Sequence, residues 1–441
     1  MFRRFSAPRL IIIGFAALMG LGTLLLKLPA STQEGIAWVD ALFVSVSAAS
    51  VTGLSSVDYS ATFTTFGSTV VMLLIQVGGL GIMTFTTLGA LLVGRRVGFR
   101  DLLAAREELG NIDSPRNTLR LIGQIAGITF FVEALGAVVL AISFIRGGLG
   151  YGDGLFQGVF HAIMAFCNSG FATLPNGDLV PYAGDPAVNL ALVALIILGG
   201  LGFPVLVNLY HYRQARRLTL HSKLVLVTTA ALILIGTLSV ALLEWNNPAT
   251  LGSNPIGTRL WMSLFQGVTP RTAGFSTVDY AQMRDPTLLL QVGLMFVGTA
   301  PSSTGGGVKV TTLALLVLVV LAQARGQGEE VSAFERRVPR QLIQKALVVL
   351  SFSGLLVLVA TLALMISDGL TLLPAIFETT SAFGTVGLSM NVSQELSTFG
   401  KLLISVVMFL GRVGPITLIL ALSARQKARG YVYPQEDIAI G

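Results

Sequence analysis

The chain has 441 residues, of which 53% are hydrophobic and only 12% charged, and its mean hydropathy is +0.77. A soluble protein of this length would carry about twice that charged fraction, so the composition excludes one and predicts a polytopic membrane protein. The formal net charge of +7 does not predict nucleic-acid binding, because the basic residues lie in a few short segments between apolar runs, as topology signals do.

Eight apolar runs can each supply the roughly 20 residues that a membrane span needs. They cover residues 10–28, 66–93, 119–145, 187–210, 221–243, 287–323, 342–366 and 399–423. Arg3, Arg4 and Arg9 precede the first run, so a signal peptide is its alternative, although the run is long for one. Shorter runs at 39–50, 154–167, 258–269 and 372–384 predict re-entrant helices that end inside the membrane.

Charge predicts the orientation of these runs. Lys and Arg cluster after the second, fourth, sixth and eighth long runs, whereas the opposite connections are mostly acidic. By the positive-inside rule, both termini lie in the cytoplasm and the chain is a multi-pass protein.

Each short run ends in a loop with glycine in third place. We call Val51-Thr52-Gly53-Leu54, Asn168-Ser169-Gly170-Phe171, Thr272-Ala273-Gly274-Phe275 and Thr385-Val386-Gly387-Leu388 loops 1 to 4. Further glycines, at 78, 199, 298 and 411, follow the loop glycines by 24 to 29 residues. This register predicts four parallel copies of one unit. The copies are repeat 1 (1–94), repeat 2 (118–213), repeat 3 (220–324) and repeat 4 (340–425), before a cytoplasmic C-terminal tail (426–441).

The loops have the chemistry of an ion filter. Backbone carbonyls can replace the water shell of a cation, and glycine permits the left-handed dihedrals that this needs. We predict an all-α integral membrane fold: eight transmembrane helices plus four re-entrant pore helices, as span–pore helix–filter loop–span repeats around one central pore. The predicted filter residues are Val51, Thr52, Gly53, Asn168, Ser169, Gly170, Thr272, Ala273, Gly274, Thr385, Val386 and Gly387. Ordinary turns at helix ends are the alternative.

The ends of the predicted pore helices would favour a cation, because each helix C-terminus carries a partial negative charge. Arg271, directly before loop 3, opposes this. A buried cation needs a partner, and Glu378 in the fourth short helix is the predicted one.

The second span of repeat 3 contains a run that cannot remain helical, because it combines Pro301 with three consecutive glycines. We predict a flexible gate beneath the filter, with a passive kink as the alternative. The predicted gate residues in this run are Gly298, Pro301, Ser302, Ser303, Thr304, Gly305, Gly306, Gly307 and Lys309.

Arg412 lies inside the last span, where a lone arginine faces a cavity or a partner. It is predicted either as part of the gate, repelling cations, or as half of a structural ion pair. Gln76, Gln124, Glu133 and Gln291 are other polar groups in the spans, and we predict inter-helix hydrogen bonds for them.

These features resemble the KtrB/TrkH/HKT superfamily of potassium transporters over nearly the whole chain. The marks are the four single-glycine loops, the interruption from Thr299 to Gly307 and Arg412. The KtrB branch is the nearer resemblance, because TrkH-type proteins carry an added N-terminal helix pair. The resemblance implies potassium uptake across the bacterial inner (plasma) membrane, with the loop glycines as selectivity glycines. In plant relatives a serine at the first of them accompanies sodium preference, so Gly53 favours potassium.

The resemblance also implies partners: a homodimer, membrane lipid, and a KtrA-like cytosolic ring of nucleotide-binding regulatory subunits. No dinucleotide fingerprint occurs in the chain, so ATP or ADP would act in trans and no cofactor is expected on the chain itself. Sodium is an expected activator. A sodium-selective or sodium-coupled carrier is the alternative function. An enzyme is not expected, because three histidines and one cysteine, Cys167, form no catalytic or metal cluster.

Overall fold

The computed structural model describes residues 7–81, 115–174, 179–212, 216–326 and 331–414, without the side chains of 7–11 and 115–122. The predicted tail at 426–441 lies outside these residues. Over the described part the chain is mostly helical. In chain order the helices are α1 (Ala7–Leu26), α2 (Trp38–Ser50), α3 (Tyr59–Thr62), α4 (Thr65–Gly79), α5 (Pro115–Arg146), α6 (Tyr151–Cys167), α7 (Pro186–Gly200), α8 (Phe203–Tyr210), α9 (Leu220–Glu244), α10 (Ile256–Val268), α11 (Asp285–Phe296), α12 (Val310–Ala324), α13 (Arg340–Asp368), α14 (Leu372–Gly384) and α15 (Thr398–Val413).

The only strands in the described ranges form a small hairpin between α12 and α13. Strand β1 (Ser332–Ala333) pairs antiparallel with β2 (Arg336–Arg337).

The helices follow the order of first helix, short helix, loop and second helix four times, and we call each set a unit. The first helices are α1, α5, α9 and α13; the short helices are α2, α6, α10 and α14; the second helices begin at α4, α7, α11 and α15. Three first helices contain segments long and apolar enough to cross a membrane: Gly123–Arg146, Leu220–Glu244 and Arg340–Asp368. The bent pair α7 and α8 makes a fourth candidate if it is counted as one span.

The second helices stop at a common position. Gly81, Gly202 and Gly414 follow α4, α7 and α15, and each has a positive φ, of 77°, 82° and 83° respectively. Each of these glycines comes three residues after the glycine that marks the register, and in the third unit Pro301 occupies that place. The second helix therefore ends near the same position in all four units, whereas a break was predicted for the third unit alone.

The run 187–210 is correspondingly not one straight span. Its two helices meet at an angle of 102°. Gly202 takes the left-handed conformation at the bend, and Pro204 has no amide hydrogen with which to continue the helix.

Close packing explains the register glycines of units 1, 2 and 4, which are Gly78, Gly199 and Gly411. A Cβ on Gly78 would lie 2.2 Å from the carbonyl oxygen of Ala49, and one on Gly199 would lie 1.9 Å from that of Phe166. The fourth unit repeats this contact, since a Cβ on Gly411 would lie 2.0 Å from the carbonyl oxygen of Phe383. These second helices thus pack directly against the last turn of a short helix, which fixes the position of the loop that follows.

Candidate functional site: the four glycine loops

The loops begin where the short helices end, with a residue in the left-handed region. Val51, Asn168, Thr272 and Thr385 have φ of 59°, 61°, 65° and 50°. For residues other than glycine this conformation costs about 1–2 kcal/mol each. Because all four loops have this unfavourable conformation at their first residue, we infer that the surrounding packing imposes it.

The amide groups of the loops point back to the short helices. Thr52 N donates to Ser47 O, Ser169 N to Met164 O and Val386 N to Ser381 O, each at 2.8 Å. In loops 1 and 4 the glycine amide also donates to a serine hydroxyl, at 3.0 and 3.1 Å. Loop 3 differs, because α10 ends earlier and Thr269 O accepts the amide of Ala273 at 2.9 Å. The amides are thereby turned away from the loop carbonyls.

The carbonyl groups at the first three positions of every loop accept no hydrogen bonds within the part of the chain that the structure describes. Buried carbonyls in folded proteins are almost always paired. Loop residues such as Thr52, Asn168, Ala273 and Val386 are 0% exposed. Their carbonyl oxygens therefore have neither bulk water nor a donor from the described residues, and such oxygens can replace the water shell of a cation.

The four loop glycines form a closed ring. A Cβ on Gly53 would lie 2.3 Å from Gly170 N, and one on Gly170 would lie 2.4 Å from the carbonyl carbon of Gly274. A Cβ on Gly274 would lie 2.2 Å from a carbonyl oxygen of loop 4, and one on Gly387 would lie 2.3 Å from a carbonyl oxygen of loop 1. Each loop therefore touches the next in chain order, and no side chain fits at any of the four positions.

A cavity of about 470 Å³ opens on one side of the ring and is lined by all four glycines. Asp58 and Asp279 are its charged lining residues, and both are acidic. A cavity with this sign of charge raises the local concentration of cations. We call it the outer vestibule.

Polar side chains of the short helices hold the chain after each glycine. Ser56 donates to Asp40 at 2.7 Å in unit 1, and Thr173 donates to Gln157 at 2.5 Å in unit 2. Both acceptors precede the loop glycine by 13 residues and both donors follow it by three. These residues were not predicted as part of the site, although their shared spacing is visible in the sequence.

Units 3 and 4 achieve the same result with other residues. Gln266 donates to Thr277 at 3.0 Å and accepts from the hydroxyl of Tyr280 at 2.7 Å. Glu378 accepts from Ser389 at 2.7 Å and also from Ser393.

The predicted pairing of Arg271 with Glu378 is wrong. Glu378 is already bonded to the two serines of its own unit, and Arg271 Nη2 lies 3.4 Å from the hydroxyl of Thr229 on α9. Arg271 Nη1 is buried without a partner among the described residues. Arg271 follows α10 in unit 3 and Glu378 lies in α14 of unit 4, and each side chain is directed to a neighbour in its own unit.

Residues 297–309, between α11 and α12, are called the interrupted segment of unit 3. This segment lies against the first residues of loops 2, 3 and 4. Thr304 donates to Asn168 Oδ1 at 3.3 Å, and Gly306 N donates to Thr385 Oγ1 at 3.0 Å. A Cβ on Gly305 would lie 2.1 Å from Thr272 Oγ1. The segment thus occupies the side of the ring opposite the outer vestibule, which is the location predicted for it.

The rest of this segment is fixed by contacts with the second helices. Ser302 O accepts from Phe203 N at 3.1 Å, so the bends of units 2 and 3 hold each other. The remaining predicted gate residues show bonds inside the segment or close packing: Gly298 N to Val308 O, Ser303 Oγ to Ala300 O, Lys309 Nζ to Gly305 O, the Pro301 carbonyl against Gly202, and Gly307 against Gly384.

Arg412 connects this segment to unit 1. Its Nη1 donates to Thr304 O and its Nη2 to Gly78 O. The side chain therefore joins α15, α4 and the interrupted segment beside the ring. Both of these contacts are with backbone carbonyl groups.

Glu133 makes the inter-helix hydrogen bonds that the sequence predicts. Gln76 Nε2 lies 3.2 and 3.1 Å from its two carboxylate oxygens, which joins α4 to α5. Cys167 Sγ, at the end of α6, lies 3.5 Å from Gln76 Oε1. Gln291 likewise donates to Gln266 O at 3.2 Å.

Comparison with known proteins assigns this architecture to a family. The family model described as TrkH, cation transport protein, matches residues 2–429. The chain belongs to this TrkH family. Membership agrees with the long apolar helices of the described part.

Curated relatives in the TrkH family align over almost their full length. The chain is 41% identical to the Ktr system potassium uptake protein B of Bacillus subtilis, covering 99% of this chain and 97% of the relative. It is 37% identical to the protein of the same name from Vibrio alginolyticus, covering 98% and 95%. Identity to the potassium/sodium uptake protein NtpJ of Enterococcus hirae is 35%, covering 100% and 98%.

A solved TrkH family structure shares the fold. The potassium transporter TrkH from Vibrio parahaemolyticus superposes with a TM-score of 0.71 at 19% identity. The alignment covers 96% of this chain and 86% of that chain.

Proposed function

We propose that this chain is the pore-forming, channel-like subunit of a Ktr-type potassium-uptake system in the bacterial inner membrane. One observation carries the proposal: four loops meet in a closed ring whose buried carbonyl groups accept no hydrogen bond from the described residues. The names of the full-length relatives, which are potassium uptake proteins, support potassium as the ion. Potassium suits such a ring, because carbonyl dipoles can replace its water shell.

The proposed topology has eight transmembrane helices and four re-entrant pore helices, with both termini in the cytoplasm. The recurring order of first helix, short helix, loop and second helix supports the four predicted repeats. Helix α9 supports the sidedness. Its Glu244 end accepts a hydrogen bond from Arg284 N, which follows the vestibule residues Asp279 and Tyr280 in the chain. Its Leu220 end lies among basic residues. The basic end is then cytoplasmic.

The proposed gate is the interrupted segment together with Arg412. The segment lies against Asn168, Thr272 and Thr385, where it would block an ion leaving the loops for the cytoplasm. Its glycines leave no space for side chains, and Arg412 holds it to Gly78. Opening requires these few hydrogen bonds to break.

The proposed partners are a second copy of the chain, membrane lipid, and a KtrA-like cytosolic ring that binds ATP or ADP. The term "Ktr system" in the names of two relatives supports a system with more than one component. Sodium is proposed as an activator, and no cofactor is proposed on this chain.

Potassium uptake in a bacterium that lacks its own uptake systems tests the function. We expect the chain to restore growth at low potassium, more strongly with a co-expressed cytosolic subunit, and excess sodium to leave potassium uptake dominant. Expression at the membrane without any potassium-dependent growth would contradict the proposal, as would sodium uptake that potassium does not reduce.

A further inference from the structure

A second cavity lies at the Leu220 end of α9, away from the outer vestibule. Its volume is about 900 Å³, and two connections line it: residues 212, 216–220 and 223 between units 2 and 3, and the hairpin residues 334–336 between units 3 and 4. At 1.5 Å per residue, the 25 residues of α9 place about 37 Å between its ends, which is enough to cross a membrane. We call this cavity the basic pocket.

The charge of the basic pocket is strongly one-sided. Arg216, Arg217, Lys223 and Arg336 line it, and Glu335 is the acidic residue among the lining side chains. Over the described ranges, none of the four cationic side chains forms an ion pair or donates a hydrogen bond. Like charges that converge without partners repel each other, so an anion bound between them would be stabilised.

Aromatic side chains complete the lining. Tyr212 and Phe334 are both 47% exposed, and Lys223 Nζ lies 5.3 Å from the centroid of the Phe334 ring. Phe334 and Glu335 form the hairpin turn with φ of 50° and 62°. This left-handed conformation is unfavourable for residues other than glycine, and the turn places Phe334 and Arg336 at the same cavity.

We propose that the basic pocket binds a phosphate-bearing anion on the cytoplasmic side of the protein. Guanidinium groups suit phosphate because they offer several donors in one plane, and three of the four cations are arginines. The phosphate comes either from the headgroup of an anionic lipid or from a soluble phosphate compound. Exposed aromatic rings beside basic residues are found at the level of lipid headgroups. The proposal does not depend on which ion the pore conducts.

Binding to the purified full-length chain in a neutral detergent tests the proposal. The probes are dioctanoyl phosphatidylglycerol, dioctanoyl phosphatidylcholine and inorganic pyrophosphate, and the readout is a dissociation constant from thermal-shift titration. We expect the double variant Arg217→Gln/Arg336→Gln to bind about 25-fold more weakly, at about fivefold for each cation removed. The matched control is Arg146→Gln/Arg325→Gln, which removes two exposed arginines that do not line the pocket.

The probes distinguish the two sources of phosphate. Binding of phosphatidylglycerol but not of pyrophosphate supports a lipid, and binding of pyrophosphate supports a soluble ligand. The proposal is overturned if neither anion binds more tightly than phosphatidylcholine, or if the control variant weakens binding equally. If the double variant does not fold, Arg216→Gln and Lys223→Gln, tested singly, should each weaken binding about fivefold.

Discussion

Gly53 has no room for a side chain, because the amide nitrogen of Gly170 occupies the space that a Cβ would need. Its φ of 98° is also one that other residues rarely adopt. Both constraints act on the ring itself. A substitution here therefore moves the carbonyl groups of the ring.

Gly53→Ser is therefore expected to lower the preference for potassium over sodium by about tenfold, or about 1.4 kcal/mol of discrimination. Uptake of radioactive rubidium and sodium into vesicles that contain the purified protein measures the ratio. Gly152→Ser is the control, because Gly152 is an exposed helical glycine whose Cβ would meet no other atom within 4 Å. An unchanged ratio in a stably folded Gly53→Ser protein would count against the filter assignment.

Arg412 holds two carbonyl groups from different parts of the chain, Thr304 O and Gly78 O. The equivalent positions of the other units are Gly79, Gly200 and Thr299, none of which can do this. Its geometry indicates that it acts as a connection between elements as well as a positive charge.

The pair of variants Arg412→Lys and Arg412→Gln separates connection from charge. We expect both to raise rubidium flux, with Arg412→Gln giving the larger rise, because one ammonium group cannot replace two guanidinium nitrogens at their separate acceptors. Flux through Arg412→Lys equal to that of the parent protein would show that charge alone closes the pathway.

The interrupted segment is the element that departs most from the others. Units 1, 2 and 4 stop their second helix at a single left-handed glycine, whereas unit 3 leaves the helix for the whole stretch between Phe296 and Val310. Its glycines contact the loops directly, since Gly306 N donates to Thr385 Oγ1 at 3.0 Å.

Deletion of residues 305–307 is expected to raise rubidium flux about tenfold or more, a fall of about 1.4 kcal/mol in the barrier. The shortened segment can no longer reach Thr272 and Thr385, which Gly305 and Gly306 contact. Gly293→Ala, on the preceding helix with open space around it, is the matched control. A well-expressed deletion protein with unchanged flux would show that the segment is a passive kink.

The loops and the interrupted segment were predictable because glycine at a fixed spacing leaves a clear mark in the sequence. The bend at Gly202 and the left-handed conformations of Gly81 and Gly414 were missed, because one glycine costs an apolar helix only about 1 kcal/mol and does not alter its hydropathy. Their spacing of three residues from the register glycine was nevertheless visible. The bonds of Glu378 to Ser389 and Ser393 could not be predicted, since they depend on the path of the chain after the loop.

At the scale of the whole molecule, the first and fourth units close the ring. Asp40 on α2 and Lys401 on α15 form an ion pair of 2.7 Å, with about 15% of each side chain exposed. Ser56, which follows loop 1, donates to the same carboxylate oxygen. Asp40 thus links the position of loop 1 to a helix 361 residues further along the chain.

A double-mutant cycle with Asp40→Asn and Lys401→Met is expected to give a coupling free energy of about 1 kcal/mol in thermal unfolding. The single variants should each lower the unfolding temperature, because each leaves a partly buried charge without its partner. Additive effects of the two substitutions would show that the pair does not close the ring.

The central claim is that the four loops bind a dehydrated cation through their carbonyl groups. Anomalous diffraction from crystals grown with rubidium in place of potassium tests it most directly, because rubidium is a close mimic with a strong anomalous signal. We expect a peak on the axis of the ring, surrounded by the carbonyl groups of Thr52, Ser169, Ala273 and Val386. Well-ordered loops with no peak among them, or a peak only at the acidic residues of the outer vestibule, would contradict the claim.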